Sequence, residues 1–123
     1  LRATDDLDIL VEPTAANARR VFAALAAFGP PIEAHGVEPD LFARAGYGYR
    51  MGVTPLRIEI LTSITGVSFE EAWRDHREVE VAGRRIPVIG REALLANKRA
   101  TGRYKDLADV EWLEGHPPIS QDD

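Results

Sequence analysis

The chain of 123 residues has no cysteine, which removes disulfides, thiolate nucleophiles and cysteine-based zinc sites. No apolar run approaches the roughly 18 residues of a membrane span, and no signal-peptide pattern is present. We therefore expect no membrane partner and a cytoplasmic protein. Positive charge is not in surplus: 15 Lys and Arg face 20 Asp and Glu, leaving a net charge of −5. That balance argues against a broad nucleic-acid surface. No Walker or Rossmann glycine loop is present. His35, His76 and His116 lie far apart, without zinc-site spacing. Ser63, Ser68 and Ser120 lack a nucleophile-elbow context. There is no repeat and no low-complexity segment. What remains, at 45% hydrophobic and 28% charged residues, is an ordinary globular composition. Its length suits a single domain over residues 1–115, with a loose tail at 116–123.

The patterning predicts an α/β (α+β) fold: a mixed, largely antiparallel sheet packed with helices and finished by a C-terminal helix pair. Apolar residues take over after Asp6, at Leu7, Ile9, Leu10 and Val11, and Glu12-Pro13 ends the run as a short buried strand would end. Thr14 caps a helix to Phe28 whose stripe is Val21, Phe22, Leu25 and Phe28; Gly29-Pro30-Pro31 stops it. A connection follows, with a short helix at 39–45. Gly46 to Val53 reads as a twisted strand. After a turn at Thr54-Pro55, Leu56 to Leu61 alternates cleanly, with Leu56, Ile58 and Ile60 on one face and Arg57, Glu59 and Leu61 on the other. Ser68 and Glu71 form a capping box for a helix carrying Phe69, Ala72 and Trp73 inward. Glu78–Val81 and Arg85–Val88 flank Ala82-Gly83 as a hairpin. Two helices close the chain, Glu92–Thr101 burying Leu94 and Leu95, and Lys105–Glu114 burying Leu107, Val110 and Leu113.

Two constellations are candidates for chemistry. Asp6 and Asp8 share one strand face, roughly 7 Å apart, and two such carboxylates repel unless a cation lies between them. Glu59 stands mid-strand among apolar neighbours, where a carboxylate is costly unless paired or metal-bound. Together they offer the minimum that two divalent ions need for in-line phosphoryl transfer, and hard oxygen donors suit Mg²⁺ or Mn²⁺. Against this stands a plain wet sheet face, with Glu59 paired to Arg57 or to an arginine of another strand. The second constellation is basic: Lys98, Arg99, Arg103 and Lys105. The first two also suit a solvated helix C-terminus, while the stem of Lys98 could lie along the core and its ammonium reach a phosphate.

Three segments, Arg2-Ala3-Thr4-Asp5-Asp6-Leu7-Asp8-Ile9-Leu10-Val11, Arg57-Ile58-Glu59-Ile60-Leu61-Thr62 and Leu94 to Asp109, resemble in order and spacing the minimal nucleotidyltransferases of the DNA polymerase β superfamily. The likeness is to the small bacterial toxin and abortive-infection type. It implies that Asp6, Asp8 and Glu59 form a catalytic, Mg²⁺- or Mn²⁺-binding set, with Glu59 or its water as general base. It implies nucleotide contacts from Arg2, Thr4, Lys98, Arg103 and Lys105, and support of that basic segment by Asp106 and Asp109. The activity implied is transfer of an NMP from an NTP to a hydroxyl of a protein, an RNA or a small molecule, in a toxin–antitoxin setting with an antitoxin as partner. The chain departs from the family in two places. It has no Gly-Gly or Gly-Ser pair on a helix N-terminus before the Asp pair, and Glu59 stands where Asp is usual. Because the sequence opens on Leu1 and its most telling motif starts at the second residue, we expect the natural protein to extend upstream. The alternatives are a non-catalytic, regulatory domain of the same type and a plain α/β domain with a wet carboxylate edge.

Overall fold

A computed structural model describes residues 6–53 and 56–116, with the backbone alone for Leu56. Thr54-Pro55 and most of the tail lie outside it. The chain is mixed α+β and divides into two compact units at 64/65.

The N-terminal unit is built on a three-stranded sheet in the order β1 (Asp6–Leu10), β3 (Leu56–Leu61), β2 (Gly48–Val53). β1 runs parallel to β3, with Asp6 beside Arg57 and Asp8 beside Glu59. β2 runs antiparallel to β3, with Arg50 beside Glu59. α1 (Ala15–Phe28) starts where the Thr14 hydroxyl accepts the Asn17 amide and stops at left-handed Gly29, as the sequence predicts. Ala18 and Leu25 of α1 join Ile32, Val37, Phe42, Tyr49 and Ile60 in one core. The short helix of the connection is a 3-10 turn over Pro39–Ala43, ending earlier than its residues suggest.

Two expectations fail in this unit. Phe28, placed on the buried stripe, is 69% exposed; it occupies the last helical position, beyond the core residues of α1. β1 is not a buried strand, because Leu7 is 56% exposed and Ile9 is 39% exposed. An edge strand has a neighbour on one side only, and the core cluster draws on β2 and β3 instead.

In the C-terminal unit, α2 (Phe69–Arg74) carries the full capping box, with Ser68 accepting from the Glu71 amide and Glu71 accepting from the Ser68 amide. Hydrogen bonding to the carboxyl from the Ser68 amide, and after it from the Ser68 hydroxyl, holds Glu71 below its ordinary pKa. Ala72 is buried, but Trp73 is half out, stacked on His76 and Phe69 instead of facing inward; a six-residue helix has one narrow inner face. β4 (Arg77–Val81) and β5 (Arg84–Val88) form the hairpin. Its turn has positive φ at both Ala82 and Gly83, the twist that two-residue hairpin loops favour. α3 (Arg91–Thr101) packs on α4 (Tyr104–Gly115). A side chain at Gly90, just before α3, would collide with the backbone oxygen of Asp75. Leu95 and Val110 are buried, Leu94 and Leu113 are partly so, and Leu107 is exposed, contrary to its place in the pattern. Leu107 follows Asp106, and it is the carboxylate of Asp106 that turns inward (below). Among the described residues no helix is long and apolar enough to cross a membrane.

Candidate functional site

Alternation along the three strands sorts their side chains into two sets. Tyr49, Met51, Ile58 and Ile60 go to the core. Asp6, Asp8, Arg57, Glu59 and Arg50 go to the other face, and the register sets them side by side across β1, β3 and β2. The three carboxylates singled out in the sequence therefore do share a face, with Glu59 directly beside Asp8.

Two arginines reach them. Arg57 grips Asp6 through two hydrogen bonds, Nε to Oδ1 at 3.0 Å and Nη2 to Oδ2 at 3.3 Å. Arg50 donates to Glu59 Oε2 at 3.2 Å. These pairs are partly open to water, Arg57 and Asp6 being 30% and 38% exposed in their side chains. A fork-shaped guanidinium on a carboxylate is the better geometry for such a pair, yet pairs this accessible contribute at most about 1 kcal/mol. Among the described residues the strands set three carboxylates and two guanidiniums on this face, a nearly balanced set instead of a strongly anionic one.

In kind and in face this donor set fits a hard divalent ion: three carboxylates, no soft ligand, on adjacent strands. In position it is not yet gathered. Among the described residues no three His, Cys, Asp or Glu side chains stand close enough to hold a metal ion, and the arginines hold two of the carboxylates. An ion could be bound by Asp6, Asp8 and Glu59 once Arg57 and Arg50 turned away.

The basic constellation lies in the C-terminal unit and is organised around a buried acid. Asp106 is 3% exposed. It accepts from Thr101 Oγ1 at 2.7 Å, Arg103 Nε at 2.6 Å and Lys98 Nζ at 3.5 Å. Lys98 Nζ also donates to Asp109 at 2.8 Å. Burial pushes the Asp106 carboxyl up, but the hydrogen bonds from Thr101 and Arg103 and the charges of Arg103 and Lys98 outweigh it, and its pKa is lowered. Lys98 and Arg103, read from sequence as nucleotide contacts, are thus each bound to a carboxylate. Lys105 is exposed. Arg99 donates to Glu114 and Arg91 to the Leu113 carbonyl, tying α3 to α4. Arg2 and Thr4 lie outside the described residues.

Sequence reasoning did not single out Arg50 and Thr101. A signal existed for Arg50: a two-residue turn at 54–55 sets residue 50 opposite residue 59. Thr101 gave none, since its hydroxyl finds Asp106 only after the chain turns at Gly102. Comparison with family models, characterised proteins and solved structures returned no match.

Proposed function

We propose that this chain is a cytoplasmic nucleotidyltransferase, moving an NMP from an NTP to a hydroxyl of a protein, an RNA or a small molecule. The observation that carries this reading is the register of β1 on β3. It sets Asp8 beside Glu59, with Asp6 two residues along, on a face of the sheet turned away from the core. Asp6, Asp8 and Glu59 would hold Mg²⁺ or Mn²⁺, which neutralises developing phosphoryl charge when bound. Glu59, or a water it holds, would take the proton of the acceptor hydroxyl. The acceptor oxygen forms its bond to the α-phosphorus as the bond to pyrophosphate breaks. Arg50 and Arg57 have a second part: a triphosphate competes with carboxylates for guanidinium groups, so an arriving NTP would draw both arginines off the acids they now hold.

A specific observation favours a second reading, a non-catalytic domain of nucleotidyltransferase type. The Arg57–Asp6 and Arg50–Glu59 pairs already compensate two of the acids. Transfer assays separate the two readings. With each α-³²P-labelled NTP and Mn²⁺, the wild type labels an acceptor or itself, and Asp8→Asn does not. Transfer that survives Asp8→Asn would show the mechanism to be wrong, and no transfer from any NTP would favour the second reading.

A further inference from the structure

β4 and β5 make a sheet of two strands. Every residue of both is exposed, and the two pack chiefly on each other. A lone two-stranded hairpin is marginal in water and is steadied by a third strand. Alternation and register put Val79, Val81, Ile86 and Val88 on one face, 43, 51, 41 and 43% exposed. Glu78 and Glu80 stand on the other, with Arg85 opposite Glu80 and Pro87 opposite Glu78. The two outer edges differ. Val81 and Arg84 flank the two-residue turn and exchange the first pair of backbone bonds, after which bonded and non-bonded pairs alternate. The backbone N–H and C=O groups of Glu78 and Glu80 therefore point outward from β4, and those of Arg85 outward from β5. Pro87, the next outward position of β5, has no N–H, which blunts that edge. Among the described residues no strand pairs with the outer edge of β4, and both of its outward positions carry a carboxylate.

We propose that the outer edge of β4 takes up, as a third antiparallel strand, an extended segment of a partner protein in which lysine or arginine alternates with aliphatic residues. Its basic residues come opposite Glu78 and Glu80 and exchange main-chain bonds with them, repeating the placement of Arg85 opposite Glu80. Its aliphatic residues fall on the other face and extend the apolar patch of Val79, Val81 and Ile86. Charge decides against a second copy at this edge. Two β4 strands paired over more than half their length across a two-fold axis put Glu78 opposite Glu80, or one of the two opposite itself. Like charges directly opposite are destabilising. Pairing β4 with the β5 edge of another copy meets Pro87. This surface is independent of the nucleotidyl transfer proposed above.

The probes are two dye-tagged peptides, Val-Lys-Val-Lys-Val and Val-Glu-Val-Glu-Val, titrated with the full-length protein and followed by fluorescence anisotropy. The lysine peptide should bind saturably and the glutamate peptide at least about tenfold more weakly. The Glu78→Gln, Glu80→Gln double variant, changed only at exposed positions, should bring the lysine peptide down to the level of the other. N-methylation separates strand addition from simple charge attraction. Methyl groups on the two lysine nitrogens, which face β4, should abolish binding, and one on the central valine, which faces away, should not. A lysine peptide that does not bind saturably would overturn the proposal. So would equal affinity of the two peptides for the wild type, binding unchanged in the folded double variant, or binding unchanged by N-methylation of the lysines. A dimer of the free protein in sedimentation that the lysine peptide competes apart would give the edge to a second copy and would overturn it as well.

Discussion

The two units use the same pairing of acid and base in opposite settings. On the sheet, Arg57 and Asp6 meet where water still reaches both, and Arg50 reaches Glu59 with most of its own side chain exposed. Between α3 and α4, Asp106 has almost no exposure and collects Thr101, Arg103 and Lys98. A carboxylate in the second setting cannot change partners without leaving a buried charge uncompensated, and that costs several kcal/mol. One in the first setting can exchange a guanidinium for water, metal or phosphate at small cost. The helix-pair cluster is therefore architecture, and the sheet face is where charge can be redistributed at small cost.

The largest expected effect comes from breaking the buried side. Asp106→Ala should destabilise the protein by about 3–5 kcal/mol, since it strips partners from Lys98, Arg103 and Thr101 at once; denaturant unfolding measures this. A loss under about 1 kcal/mol would mean that the two settings do not differ as described. Acid should act through the same residue. Its pKa is lowered in the folded state, so the unfolded chain binds more protons between the lowered value and the ordinary one near 3.8. The stabilisation is complete above that ordinary value and is lost as pH falls through the lowered one. Unfolding followed against pH should show that acid loss in the wild type, and Asp106→Asn should lack this share of it.

Double-mutant cycles compare the pairs directly. Lys98 with Asp109 should show a coupling of about 1–3 kcal/mol that persists in 1 M NaCl. Asp6 with Arg57 should show less than about 1 kcal/mol, fading in salt as the screening length drops to about 3 Å. The smallest effect belongs to Arg50→Gln, which should change stability by no more than about 0.5 kcal/mol. A large loss there would make Arg50 part of the architecture too.

Much of this was legible in the sequence because it is local. Thr14, the Ser68–Glu71 box, Gly29 and Gly102 mark helix ends through contacts three or four residues away. The alternation of 56–61 states which way each side chain points, and that alone placed Glu59 on the outer face. Exposure was less legible. Phe28, Trp73 and Leu107 are apolar and correctly spaced, but whether anything covers a position depends on what the rest of the fold brings there. The partners of the acids were the least legible. Placing Arg57 on Asp6 requires a parallel register across 51 residues of chain, and no local rule supplies it.

In the proposed function the sheet face would exchange its arginines for a metal ion and a nucleotide. The most direct test of that exchange is calorimetric titration of each NTP into the protein, with Mn²⁺ and then with EDTA, comparing wild type with the Asp6→Asn, Asp8→Asn double variant. The account predicts binding of at least one NTP that disappears in EDTA and weakens at least tenfold in the double variant, whose fold stays within about 1 kcal/mol of wild type in stability. NTP binding of equal strength in both proteins, or unaffected by EDTA, would contradict it.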